Sequence, residues 1–234
     1  MDTEALIAEA RLVGIDLTPT AGQRMLRLLE LVGSAPLNLT AVCDPVEMRR
    51  KHVVDSLACL PLARLESGER CVDLGSGGGF PGLPVAIACP WARLELVDAT
   101  GRKVGFLAAA VRQLELTNVT VRQARAEELG REVGWRDAAD CILARAVAPL
   151  PVLVEYALPL CRTGGRLIAL KGPRGDREVE AAHRAIRVLG GVLGETHRFS
   201  LPGGGLRTIV RVDKVGSTPA RFPRRVGEAA RRPL

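Results

Sequence analysis

Residues 70–84 read RCVDLGSGGGFPGLP, and the rest of the chain is best interpreted outward from them. Arg70–Leu74 is a short β-rich run that ends in a carboxylate, Asp73, and enters a glycine-rich turn. Glycine is required where a backbone takes positive φ or approaches a ligand without a Cβ. The turn leads toward a helix N-terminus. In open α/β sheets ligands bind at the carboxyl ends of the strands, where such a loop lies.

Downstream, β-rich runs recur at Arg93–Asp98, Val119–Gln123, Cys141–Arg145, Arg166–Lys171, Val192–Ser200 and Leu206–Lys214. Helix-length segments separate the first five, which predicts βαβ units and a mostly parallel sheet. Residues 201–205, Leu-Pro-Gly-Gly-Gly, are too few for a parallel crossover, so the last two strands are expected to form an antiparallel hairpin at the sheet edge. The predicted fold is α/β: a Rossmann-like, seven-stranded, mostly parallel sheet with the last strand antiparallel, as in class I methyltransferases that use S-adenosylmethionine (SAM).

Two cofactor readings compete for the loop. Gly77, Gly79 and Gly82 match the dinucleotide fingerprint G-x-G-x-x-G and suggest a nicotinamide-dependent oxidoreductase. Asp73 followed by Gly75, Gly77 and Gly79 matches the SAM loop. Asp73 favours SAM, because a carboxylate there suits an ammonium and offers nothing to a pyrophosphate. Asp98 ends the second strand, where it can accept bonds from ribose hydroxyls in either family. After the third strand, Ala126 and Glu127 lie where an adenine amino group would be met; equally, the acidic pair Glu127 and Glu128 suits a helix start. Arg145 ends the fourth strand and can hold a carboxylate or phosphate bidentately, or make a structural ion pair. That strand lacks the N-P-P-Y or D-P-P-Y of exocyclic-amine methylases and the Pro-Cys of cytosine C5 methylases.

The chain has 33 basic and 26 acidic residues, a formal charge of +7. Residues 1–69 carry seven basic and ten acidic side chains, residues 70–220 carry 21 and 15, and residues 221–234 carry five and one. A basic excess in the later part suggests a polyanionic partner, nucleic acid before membrane. Aromatics make up 3%, which argues against base-stacking platforms. No apolar run is long enough for a transmembrane helix, and the acidic amphipathic start is unlike a signal peptide. Cys43, Cys59, Cys71, Cys89, Cys141 and Cys161 form no C-x-x-C pair, so neither zinc nor a disulfide framework is expected, and the thiols suit a cytoplasmic protein.

The N-terminal 60 residues show helical periodicity. Helices are expected from Thr3, from the cap Thr18-Pro19, and from Asp44-Pro45 with Glu47 three residues on. The anticipated organisation is a helical cap at 1–60, a SAM-binding domain at 61–215 and a basic tail at 216–234 without regular structure.

With these residues in view, the chain resembles the bacterial ribosomal RNA small subunit methyltransferase G family along nearly its whole length. The resemblance rests on Leu37-Asn38-Leu39-Thr40-Ala41, on Lys51-His52-x-x-Asp55-Ser56-Leu57, and on the loop from Asp73 with its extension Gly79-Phe80-Pro81-Gly82-Leu83-Pro84. It continues through Asp98, Lys103, Ala126-Glu127, Arg145-Ala146, Leu170-Lys171-Gly172, Arg207-Thr208-Ile209-Val210 and Phe222-Pro223-Arg224-Arg225. Two departures stand out: Glu228-Ala229-Ala230 in the tail, and Asp98-Ala99-Thr100 in place of Asp-Ser. The resemblance implies SAM-dependent methylation of N7 of one guanine in the decoding region of 16S rRNA, within the small subunit or its precursor. It also implies a monomeric cytoplasmic enzyme without a membrane partner. Gly75, Phe80, Asp98, Ala126, Glu127 and Arg145 would contact the cofactor, with Asp73, Gly77, Gly79, Ala99 and Thr100 around them. Lys51, His52, Lys171, Arg207 and the tail arginines are candidates to grip the guanine or its phosphates. An RNA-binding scaffold with a vestigial SAM pocket is the non-enzymatic alternative.

Overall fold

The computed structural model describes residues 2–234. Helices α1 (Thr3–Arg11) and α2 (Pro19–Gly33) precede a helical rod made of α3 (Pro45–Met48), a π-helical stretch Arg49–Val54 and α4 (Asp55–Leu57). Then follow α5 (Leu60–Ala63), β1 (Arg70–Leu74), α6 (Gly82–Ala88), β2 (Arg93–Asp98), α7 (Gly101–Gln113) and β3 (Val119–Gln123). Next are α8 (Ala126–Leu129), β4 (Ala139–Arg145), α9 (Leu150–Ala157), β5 (Cys161–Lys171), α10 (Gly175–Val188), β6 (Gly191–Ser200), β7 (Leu206–Lys214) and α11 (Glu228–Arg231).

The expected helix starts are present with their caps. Thr18 accepts from the Ala21 amide, and Asp44 accepts from the Glu47 amide at 2.8 Å. The rod's middle turn is wider than an α-helix, which the apolar spacing of its sequence does not show. Such π segments are common at functional sites, and this one carries Lys51 and His52. Glu9 of α1 anchors it, with oxygens 2.7 Å from Arg49 Nε and 2.6 Å from Arg50 Nε.

The seven strands are ordered β3-β2-β1-β4-β5-β7-β6. The first five are parallel, and β7 is antiparallel to both of its neighbours. The expected antiparallel hairpin is present at the sheet edge, with β7 paired to β5 and β6 outermost. Strand β5 begins at Cys161, earlier than expected, because the chain passes through Gly164-Gly165 as an irregularity before pairing Cys141 with Arg166. Reversal of the strand order between β1 and β4 opens a crevice at their carboxyl ends, so the loop after β1 borders it.

Two apolar layers cover the sheet. On one face Leu6, Met25, Leu28, Leu29, Leu57 and α6 share one core with Leu94 and Leu96 of the sheet. On the other, α9 and α10 pack Leu150, Leu153, Ala182 and Ile186 against Val72, Ile142 and Leu167. Cys59, Cys71, Cys89, Cys141 and Cys161 are buried free thiols and Cys43 is exposed. Among the described residues no helix is long and apolar enough to cross a membrane, and no metal-ligating cluster occurs.

The tail differs from expectation. Residues 217–234 include the short helix α11 and pack on α8 and α9. Phe222 is buried, and the backbone amide, Nε and Nη2 of Arg224 all donate to Glu155. These partners come from more than sixty residues upstream, so local composition could not reveal them.

Candidate active site

Gly75, Gly77 and Gly79 all have positive φ, which explains the glycine spacing in the turn. Close packing adds a second constraint. A Cβ at Gly79 would lie 2.3 Å from Leu83 Cδ1, and one at Gly82 would lie 2.6 Å from Asp73 Oδ2. Gly82 is therefore a packing and hydrogen-bonding residue: its amide donates to Asp73 Oδ2 at 3.0 Å.

Asp73 is fully buried, and its second oxygen, Oδ1, has no partner. Burial pushes the carboxyl up to about 7, against the pull of its hydrogen bonds and of Arg145. An orphaned buried oxygen is costly and calls for a donor. An ammonium group would satisfy both the charge and the vacant lone pair.

Asp98 is engaged by its own chain. It accepts from the Gly77 amide at 3.0 Å through Oδ2 and from the Thr100 amide at 2.8 Å through Oδ1. It thus pins the glycine loop to β2, and each oxygen keeps a further lone pair. A cavity of about 150 Å³ opens beside it, lined by Gly75, Asp98, Ala99, Ala126, Glu127 and Tyr156 among others. Of the expected cofactor residues, Asp73, Gly77, Gly79, Phe80, Thr100 and Arg145 do not line this cavity. Phe80 instead stacks on His52 at 4.9 Å between ring centroids, and Arg145 Cζ lies 5.3 Å from its ring centre.

A larger cavity of about 650 Å³ adjoins the first, with Val147 in both walls. Lys51, His52, Arg145, Lys171 and Arg207 all line it, so sequence-distant candidates converge. Most of their charges are matched by acids. Asp55, 6% exposed, bridges two cations, with Oδ2 3.1 Å from Arg145 Nη1 and Oδ1 3.0 Å from Arg207 Nε. Lys51 pairs with Glu47. Lys171 is buried, donates to the Ala148 carbonyl at 2.6 Å and pairs with Glu178 at 2.9 Å.

His52 differs from the basic group expected. Burial first, and then the Arg145 charge, push its imidazole down to about 4, so it is neutral at pH 7. Its Nε2 hydrogen-bonds Thr40 Oγ1 at 2.7 Å, and its buried Nδ1 has no partner. Asp55 is the residue that the search for cations missed; its signal was its place one turn beyond Lys51 in the helical rod.

Strand order, glycine loop and the two cavities at the switch point define a class I SAM-dependent methyltransferase. Residues 22–203 match the family model described as rRNA small subunit methyltransferase G. A ribosomal RNA small subunit methyltransferase G of Chloroflexus aggregans is 43% identical over 238 residues, spanning all of this chain and 99% of that one. Among solved structures, precorrin-6y C5,15-methyltransferase of Geobacter metallireducens matches at TM-score 0.53 and 15% identity over 68% of this chain and 87% of that chain. TYW2 of M. jannaschii, in complex with SAM, matches at TM-score 0.51 and 15% identity over 67% and 74%. These distant likenesses concern the fold alone. By sequence, the chain belongs to the rRNA small subunit methyltransferase G family: it is a SAM-dependent methyltransferase of ribosomal RNA. The oxidoreductase reading of Gly77, Gly79 and Gly82 is not favoured.

Proposed function

We propose that this enzyme methylates N7 of a guanine in the decoding region of 16S rRNA, with the small subunit or its precursor as substrate. We further propose a cytoplasmic monomer. The observation that carries the reading is the pairing of an unmatched buried carboxylate oxygen at Asp73, suited to a cationic cofactor, with a larger cavity lined by Lys51, Arg145, Lys171 and Arg207.

Bound SAM supplies a methyl group on a sulfonium, already activated for transfer. Guanine N7 has an in-plane lone pair and no proton, so no residue has to remove one before attack. The protein's task is then to hold acceptor and donor in line in a cleft from which water is excluded. In this reading Asp73 receives the cofactor's ammonium. Asp98 and Ala99 would hold the ribose, with the Thr100 and Gly77 amides fixing Asp98. Ala126 and Glu127 would meet the adenine edge, Gly75 would shape the seat with Gly79 setting the loop's turn, and Phe80 would back it from the His52 side. Arg145, in the wall of the larger cavity, offers its remaining N–H groups there. On the acceptor side, Arg207 and Lys51 attract phosphate or the O6/N7 edge, and neutral His52 offers a flat ring. Lys171, already bonded to Ala148 and Glu178, supports the wall.

The direct test is transfer of labelled methyl from SAM to 16S rRNA, with the product mapped by cleavage at 7-methylguanosine. Labelling at that base is the expected result. Labelling elsewhere in the RNA would overturn the position and keep the enzyme class.

A further inference from the structure

The five tail arginines invite an assignment as a flexible RNA arm, yet much of the segment is already committed. Arg136 Nη2 donates to the Thr218 carbonyl at 2.7 Å and its Nη1 to the Phe222 carbonyl at 2.8 Å. Arg131 Nη2 donates to the Pro223 carbonyl at 2.6 Å. Phe222 fills the apolar layer under α9 and α10. Arg224 then grips Glu155 of α9, which is 1% exposed, through its amide and guanidinium at 2.6 to 3.1 Å. Three residues later the Gly227 amide, at φ +76, donates to Glu127 Oε1 at 3.0 Å.

Glu127 lines the smaller cavity, and so does Tyr156, next in sequence to Glu155. The segment therefore holds two walls of that cavity from behind, one on α8 and one on α9. A carboxylate tethered through one oxygen is restricted in orientation, and its other oxygen is left to accept from a ligand.

We infer that residues 217–227 form a clasp that positions Glu127 and the Tyr156 wall, so that the C-terminal segment serves the cofactor cavity. This rests on the assignment of that cavity to SAM. Glu155, Arg224 and Gly227 are positioning residues in this scheme.

The experiment begins with calorimetric titration of SAM into the full chain. No binding there would overturn the cofactor assignment and the clasp with it. Given binding, the double variant Glu155→Gln/Arg224→Met removes the guanidinium contacts of the grip, leaving at most the backbone-amide bond, without stranding a buried charge. It is expected to raise KM for SAM about ten-fold, as loss of an ordered hydrogen-bonded contact would. The kcat at saturating SAM and the KM for RNA should stay within about two-fold, a split that general destabilisation would not produce. An unchanged KM for SAM in a variant with parent-like circular dichroism would overturn the clasp. A rise in the KM for RNA alone would do the same, in favour of an RNA arm. A second variant, with Arg221, Arg225, Arg231 and Arg232 changed to Gln, keeps the clasp and removes its loose charge. It is expected to bind SAM as the parent does; equal weakening would mean that charge, not positioning, is responsible, and would also overturn the inference.

Discussion

Asp73 and Asp55 carry the same carboxylate at nearly the same depth, 0% and 6% exposed. Asp73 sits under the glycine loop with one oxygen bonded to the Gly82 amide and the other unmatched. Asp55 sits in the wall of the larger cavity with both oxygens bonded to guanidinium groups. A buried charge with its partners in the same chain is a fixture of the fold. A buried charge without one is a binding site held at a cost. The two halves of the cleft differ in this way: the cofactor side leaves a place open, and the acceptor side has largely matched its charges in advance.

The strongest way to break the comparison is Asp55→Ala. It strands Arg145 and Arg207 in a half-buried wall and is expected to cost about 3 kcal/mol of stability, the low end for a broken buried pair. Chemical denaturation would read it; a loss below about 1 kcal/mol would mean that Asp55 is not a fixture. Asp73→Asn should behave in the opposite way. It removes a buried charge that the empty protein does not satisfy, so stability at pH 8 should hold or rise. SAM affinity should fall by about 2 kcal/mol, roughly 30-fold, for a lost charge-assisted bond. Calorimetry showing parent-like affinity would falsify the socket.

A change of pH sharpens the same contrast. With Asp73 at about 7 in the empty protein, lowering the pH from 7 to 6 neutralises most of the carboxylate and should weaken SAM binding about five-fold. The stability sign follows from its raised value. The folded state holds this proton more tightly than the unfolded chain, so the contribution is full below about pH 4 and is lost as pH rises through 7. His52 runs the other way, because its folded value is depressed to about 4: its contribution is present above the ordinary histidine value and lost as pH falls toward 4. Thermal melts of the Asp73→Asn and His52→Gln proteins across pH 4–8 would separate the two. The smallest expected effect is from Arg207→Ala. SAM affinity should be unchanged while the KM for RNA rises about three-fold and its dependence on log salt becomes shallower by about one contact. A matching loss of SAM affinity would place Arg207 on the cofactor side.

Four of the seven strands match the sequence reading residue for residue, because the β-rich runs are short and bounded by glycine, proline or polar turns. Both proline-marked helix starts were legible for the same local reason. The glycine loop was legible as a site because one run carries the carboxylate, the positive-φ positions and the helix start. Asp55 and Glu155 were not. Glu155 is the single acid on an otherwise apolar helix, Asp55 sits in a rod crowded with other charges, and the partners of both lie 69 to 152 residues further along the chain. The role of α1 was hidden in the same way, since Glu9 meets Arg49 and Arg50 only after the helices pack.

Patterns of period, turn chemistry and motif spacing were enough to establish the α/β order, the SAM-type loop and the family. These are local properties, written in neighbouring residues. Which charges are spent and which are left open was settled only in three dimensions. Arg145, Lys171 and Arg224 look alike as a basic excess, yet burial and facing acids make them fixtures of the wall and the clasp. Burial, with the Arg145 charge beside it, turned His52 from a candidate cation into a neutral ring, and burial left Asp73 with the one carboxylate oxygen that folding buries without a partner among the described residues.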